Sequence, residues 1–391
     1  MEKLTLFFLR DIVGFRYWII LLFPFILACG KNKEIENTAP VTPIAEKKTS
    51  NNPLVTERDR AVDEIVKPFM AKASSVGLSV GILKDGQISY YGYGIIAKNS
   101  KQIPDENTAF EIGSISKTFT AALAVKFMED RGLTIESPIA PWLPKTVPTL
   151  SLNGEQIKFK HLMNHTSGLP RLPDDIYVGT NPKDPYRLYD TVRLYNYLKT
   201  ATLATTPGKT YLYSNLAYGI LGTIIERNTQ QTYSNYFREV IGNPLVLTRT
   251  YSMTSDYSQN LSHGYDGTGS ETSYWDGLDQ GAFKGAGTLY SSAKDLIRYA
   301  TYQTNYSTEV GKLFAETQKV SWQSGNIKIG LAWRYTTING LECIAHDGLT
   351  SGYKAYLIIC RSKNIAVAIL SNNVDDDLDQ IFSQFSKTFI K

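Results

Sequence analysis

Residues 77–94 read GLSVGILKDGQISYYGYG. Two β-prone runs flank Asp85-Gly86, and Asp-Gly between such runs is a strong hairpin signal. A two-residue turn needs positive φ at both positions, which these residue types tolerate best. Upstream, from about Arg58, the stretch VDEIVKPFMAKA has the period of an amphipathic helix. Downstream, residues 116–286 are mostly helical and loop. Phe119, Ala122, Leu123 and Phe127 mark one face of a helix over 117–131, stopped by Gly132, and 191–203, 215–227 and 233–241 look similar. Strands return over 329–335, 341–345, 353–360 and 365–370, and a helix over 377–389 closes the chain. No internal repeat is present. The pattern predicts an α+β fold in which both chain ends (58–113 and 287–391) build one antiparallel sheet flanked by helices, with a largely helical insertion (114–286) between them. A site is expected in the cleft between the parts.

Composition agrees with one sizeable globular body. Of 391 residues, 42% are hydrophobic and 20% charged, ordinary values for a chain with a packed core. Forty-one basic residues face 37 acidic ones, and a near-neutral body offers nucleic acid no electrostatic footprint. Three cysteines are too few for a disulfide scaffold or a structural zinc cage.

The first residues read as an address. Residues 17–29 (YWIILLFPFILAC) form an apolar run of 13, short of the ~20 residues a spanning helix needs, and fit the core of an export signal. The run ends in Ile26-Leu-Ala-Cys29-Gly30, which resembles the lipobox of bacterial lipoproteins. The resemblance implies a signal peptide over 1–28, lipidation of Cys29 and a flexible tether over 29–57. The expected location is the cell envelope, with a lipid membrane as partner through this anchor, on its periplasmic or exterior side. An uncleaved signal anchor is the other reading. Cys343 and Cys360 remain, either as buried thiols or as a bridge.

Candidate chemistry begins with Ser114-Ile-Ser-Lys117 at the start of the first inserted helix. A spacing of three puts both side chains on one helical face, where an amine kept neutral by burial can take the serine proton. The spacing alone is not specific. Ser291/Lys294 and Ser351/Lys354 share it, but Ser291 or Ser292 reads as a helix N-cap and Ser351 as a turn residue. Tyr213-Ser-Asn215 follows a Pro-Gly turn; a tyrosine can relay protons and an asparagine amide can hold a carbonyl. A second Tyr-Ser-Asn, at 233–235, opens a periodic helix and reads as structural. The third element is His346-Asp-Gly348-Leu349 at a strand end, where glycine admits a close backbone approach. His161 and His165 are spaced for a shared metal, but no Glu or third ligand accompanies them, so neither a metal nor a cofactor is expected.

Taken in order, Ser114-x-x-Lys117, Tyr213-x-Asn215 and His346-x-Gly348 resemble the serine β-lactamase and penicillin-binding superfamily. The likeness is to its class C branch, which includes D-alanyl-D-alanine carboxypeptidases and carboxylesterases. Flanking segments such as His161-Leu-Met-Asn-His-Thr-Ser-Gly-Leu-Pro170 and Gly285-Ala-Gly-Thr-Leu agree, and the likeness runs from about Arg58 to the C-terminus. It implies Ser114 as acylated nucleophile, Lys117 as its activator, and Tyr213 as proton shuttle to the leaving group. Asn215 would hold the substrate carbonyl, and the Ser114 and Leu349 amides would form the oxyanion hole. The departure is His346-Asp347 where class C enzymes usually carry Lys-Thr. His346 is then expected to bind a substrate carboxylate when protonated, titrating around ~6.5 or higher beside Asp347. The implied activity is hydrolysis of D-amino-acid peptides, amides or esters, the partner being a small-molecule or peptide substrate. A true β-lactamase and a non-catalytic binder of cell-wall fragments stand as alternatives.

Overall fold

The computed structural model describes residues 50–180, 184–252, 260–275, 281–374 and 378–391. The expected signal segment, Cys29 and most of the tether lie outside them. The end of the expected tether is held by the domain: the Asn51 N–H donates to the Gly92 carbonyl, and the Asn51 side chain accepts the Gly92 N–H. Thr56 then caps helix α1 (Glu57–Met70), accepting the Asp59 N–H while the Asp59 carboxylate accepts the Thr56 N–H in return.

The hairpin forms as read. Strands β1 (Gly77–Lys84) and β2 (Gln87–Gly94) meet at Lys84 opposite Gln87, and Asp85 and Gly86 both take positive φ, 55° and 70°. The insertion opens with α2 (Ser116–Glu129) and contains α3 (Asn215–Thr229). After it come α4 (Ala293–Tyr302), then β3 (Trp322–Ser324), β4 (Ile327–Ile329), β5 (Arg334–Ile338), β6 (Leu341–Leu349), β7 (Lys354–Cys360), β8 (Ile365–Ser371) and the closing α5 (Leu378–Phe389). The eight strands form one antiparallel sheet in the order β2-β1-β8-β7-β6-β5-β4-β3. The C-terminal strand β8 thus lies between β1 and β7, which is the α+β arrangement expected from the sequence.

Both faces of the sheet are covered, so its central strands read as continuous apolar runs rather than alternating ones. Ile365, Val367 and Ile369 pack with α1 and α5, while Ala366, Ala368 and Leu370 join the larger core shared with the inserted helices. Full burial of each such Val or Ile contributes about 1.5–3 kcal/mol. Cys343 and Cys360 sit opposite each other on β6 and β7, on the α1–α5 face, and are joined as a disulfide, the second of the two alternatives.

Two stretches differ from the sequence reading. The strand expected over 329–335 is broken between β4 and β5. There the Leu331 N–H turns to Thr317 O and the Ala332 N–H to Met163 O, which sinks Trp333 fully into the core. The helix expected over 191–203 ends at Leu198. Beyond it the chain docks on the 165–170 loop through Ala204 N–H to Gly168 O and Gly208 N–H to Thr166 O. That docking leads the chain directly into Tyr213.

Candidate active site

Ser114 lies in a single 3₁₀ turn, Gly113–Ile115, leading into α2, and faces the cleft half-buried. Lys117, one turn on, is fully buried, with Nζ 2.9 Å from Ser114 Oγ. Its Nζ donates to the Ala286 carbonyl at 2.5 Å. That carbonyl is presented by the short helix Lys284–Gly287, which is clamped from two sides. The Lys284 ammonium pairs with Glu226 of α3, and the Thr120 hydroxyl donates to Gly285 O. Burial, then the nearby Arg171 and Arg334, hold Lys117 well below the ordinary lysine value. In its neutral form the amine, with one hydrogen committed to Ala286, has a lone pair that can accept the proton of the Ser114 hydroxyl 2.9 Å away.

Tyr213 completes the group from the loop preceding α3. Its hydroxyl is hydrogen-bonded to Ser114, and burial pushes it up to about 12, so it is a phenol at neutral pH. The Lys117 Nζ stands over the Tyr213 and Tyr218 rings at 5.0 and 5.5 Å, faces that favour the ammonium whenever it forms. Asn215, first residue of α3, donates from Nδ2 to the Tyr186 hydroxyl, and its Oδ1 is buried without a partner among the described residues.

The third motif arrives on the last residues of β6. A Cβ on Gly348 would lie 1.9 Å from Ile112 O and 3.1 Å from Ser114 N, and one on Gly113 2.9 Å from Leu349 N. The strand end and the serine turn therefore touch backbone to backbone, which sets the Ser114 and Leu349 amides side by side at the cleft. Only glycine permits this approach. The cleft is open to solvent, and Ser114, Arg171, Tyr186, Asn215, Trp275 and Leu349 are among its walls.

The expected charge of His346 needs correction. Its side chain is buried, and burial together with Arg334 and Lys117 holds it well below the ordinary histidine value. Asp347 does not raise it, because its carboxylate is bound to Arg334. The His346 Nδ1 instead donates to the Asp347 backbone carbonyl at 2.7 Å, leaving Nε2 as an acceptor. A neutral ring 6.5 Å from that of Tyr213 is no receptor for a carboxylate.

The other sequence candidates separate cleanly. Ser292 caps α4, the Ser291 hydroxyl meets Thr250, and Lys354 pairs with Asp379. The Tyr233 hydroxyl bonds Thr120 in the core. His161 and His165 do not share a face, because the helix Phe159–Met163 ends before His165, which takes φ 60°. Sequence reasoning missed His165 as a site residue. Its Nδ1 accepts the Ser214 N–H at 3.1 Å and its ring packs 4.2 Å from that of Tyr213, steadying the tyrosine. Its only local signal was the turn sequence that follows, Thr-Ser-Gly-Leu-Pro. Arg171 and Arg334 carried no signal at all.

With serine, amine, phenol and paired amides converging, the arrangement can move a proton off Ser114 and hold an oxyanion above it. The comparisons point the same way. A β-lactamase from Pseudomonas fluorescens is 27% identical over 361 residues, covering 81% of this chain and 94% of its own length. Protein flp of Staphylococcus aureus (strain N315) is 25% identical over 332 residues, covering 82% of this chain, which spans 64% of that protein. A solved Yersinia pestis β-lactamase/D-alanine carboxypeptidase, complexed with citrate, shares the fold at TM-score 0.71 and 22% identity, over 85% of this chain and 99% of its own. The family described as Beta-lactamase matches residues 62–381, through all three motifs, and the chain belongs to that family.

Proposed function

We propose that the protein is a serine hydrolase that forms an acyl-enzyme on Ser114 and acts on D-amino-acid peptides, amides or esters. The observation that carries this reading is the buried Lys117 amine 2.9 Å from the Ser114 hydroxyl. In the first half-reaction Ser114 Oγ bonds to the substrate carbonyl carbon and gives its proton to Lys117. The oxyanion rests on the Ser114 and Leu349 amides. On collapse the bond to the leaving atom breaks, Tyr213 supplies that atom's proton, and the Lys117 ammonium restores the phenol. Water then repeats the sequence against the ester and returns Ser114 as a free hydroxyl. His346, buried and with its ring 6.5 Å from that of Tyr213, packs beside this relay rather than binding charge. The missing third-motif cation weighs against efficient β-lactam hydrolysis.

A serine-reactive phosphonate should modify the Ser114 peptide alone, and Ser114→Ala should abolish turnover. Modification of Ser291 or Ser351, or full activity in Ser114→Ala, would refute the assignment. Fluorescent penicillin sorts the substrate class: slow release after labelling supports a peptidase or esterase, and fast release a β-lactamase.

We also propose that the enzyme is held at the cell envelope by lipid on Cys29. Metabolic palmitate label should enter the wild type and be lost in Cys29→Ala. A soluble product cleaved beyond Cys29 would overturn the anchor.

A further inference from the structure

We infer that Arg171 is the receptor for a carboxylate on the leaving-group side of the substrate, the task that His346 is too buried to perform. This inference rests on the hydrolase reading above. Arg171 is exposed, lines the same cleft as Ser114, and stands 5.1 Å over the Tyr213 ring. Among the described residues its guanidinium has no carboxylate partner. The other arginine near Lys117 and Tyr213, Arg334, is already bound to Asp347. Arg171 is also well placed by its backbone, whose carbonyl accepts the N–H groups of Asn215 and Leu216 at 3.0 and 3.2 Å. The Arg171 backbone is thereby fixed to the start of α3, from which its side chain reaches over the Tyr213 ring.

The side of the substrate follows from Tyr213. Its hydroxyl reaches Ser114 and serves the departing atom, while Arg171 covers its ring. An anion on Arg171 therefore belongs to the fragment that receives the Tyr213 proton. A free carboxylate one residue beyond the scissile bond, as in a C-terminal amino acid or a hydroxy-acid ester, has that chemistry. A guanidinium can take it through two parallel N–H donors.

Two esters sharing one acyl group test this, one releasing 3-hydroxybenzoate and the other 3-hydroxybenzamide. In the wild type the anionic ester should have the higher kcat/KM. Arg171→Gln should lower the anionic-to-neutral ratio by about 10- to 100-fold, and Arg171→Lys should recover part of it. The deacylation rate, measured after the leaving group has gone, should not depend on which ester was used, nor fall with the ratio. An unchanged ratio in Arg171→Gln, with both esters cleaved by the wild type, overturns the assignment while leaving the hydrolase intact. Equal loss of acylation and deacylation makes Arg171 structural and also overturns it. Cleavage of neither ester by the wild type removes the hydrolase reading and this assignment with it.

Discussion

A lysine fully buried with no carboxylate beside it among the described residues is an unusual thing for a protein to keep, and the charge state of Lys117 bears on stability and, in the proposed mechanism, on reactivity. In the proposed mechanism the active form is the free amine, so kcat/KM for a neutral ester should rise with pH through an acid limb lying well below the ordinary lysine value. Tyr213, at about 12, should leave no matching loss near neutrality. The same shift has a stability consequence. The folded state holds Lys117 below its unfolded value of ~10.5, so between the two values the unfolded chain binds the extra proton, and folding is opposed there and at lower pH. The penalty vanishes only above ~10.5 and grows as pH falls toward the folded value. Lys117→Met should therefore abolish acylation yet stabilise the protein by about 1–2 kcal/mol at pH 7, read by urea denaturation. A less stable variant would mean that the amine's bonds to Ala286 and Ser114 outweigh its burial.

At the scale of elements, the meeting of the serine turn with the end of β6 is the joint on which the site depends. Gly348→Ala places a methyl where Ile112 O lies 1.9 Å away, so one backbone must retreat. The retreat separates the Ser114 and Leu349 amides, and acylation should fall by about 10²–10³-fold, the usual loss for one oxyanion donor. Circular dichroism should show the sheet retained, and a variant acylating at the wild-type rate would refute the hole. The sequence made this joint partly legible. Ser114, Lys117, Tyr213 and Gly348 sit in short local motifs, and Asp85-Gly86 announces its own turn geometry. The charge of His346 was not legible, because it depends on Arg334 claiming Asp347 and on how deeply β6 is covered. Those are facts about neighbours rather than about the motif. The break between β4 and β5 escaped for the same reason, since its amides bond outside the sheet, to Thr317 and to the distant Met163.

Across the whole molecule, the α+β class and the two-ended sheet could be read from where strand-like and helical runs fall. Strand order could not, because an antiparallel run says nothing about which partner it takes. The arginines at the cleft were invisible for a related reason. Arg171 reaches the site through a loop whose path is set by contacts with the 199–212 segment and α3, not by a pattern in its own residues. The placement of β8 between β1 and β7 bears on the order in which the molecule comes into being. The β1–β2 hairpin is made well before its permanent neighbour, Ile365–Ser371, from which the whole insertion separates it. Until then β1 exposes an unpaired apolar edge, and such distant pairings form slowly. The Ser114 turn likewise waits for Leu349 before its second amide arrives. A nascent chain thus carries Ser114 well before the Leu349 amide that we propose as its partner in the oxyanion hole, and the site is assembled only after β6 has been made.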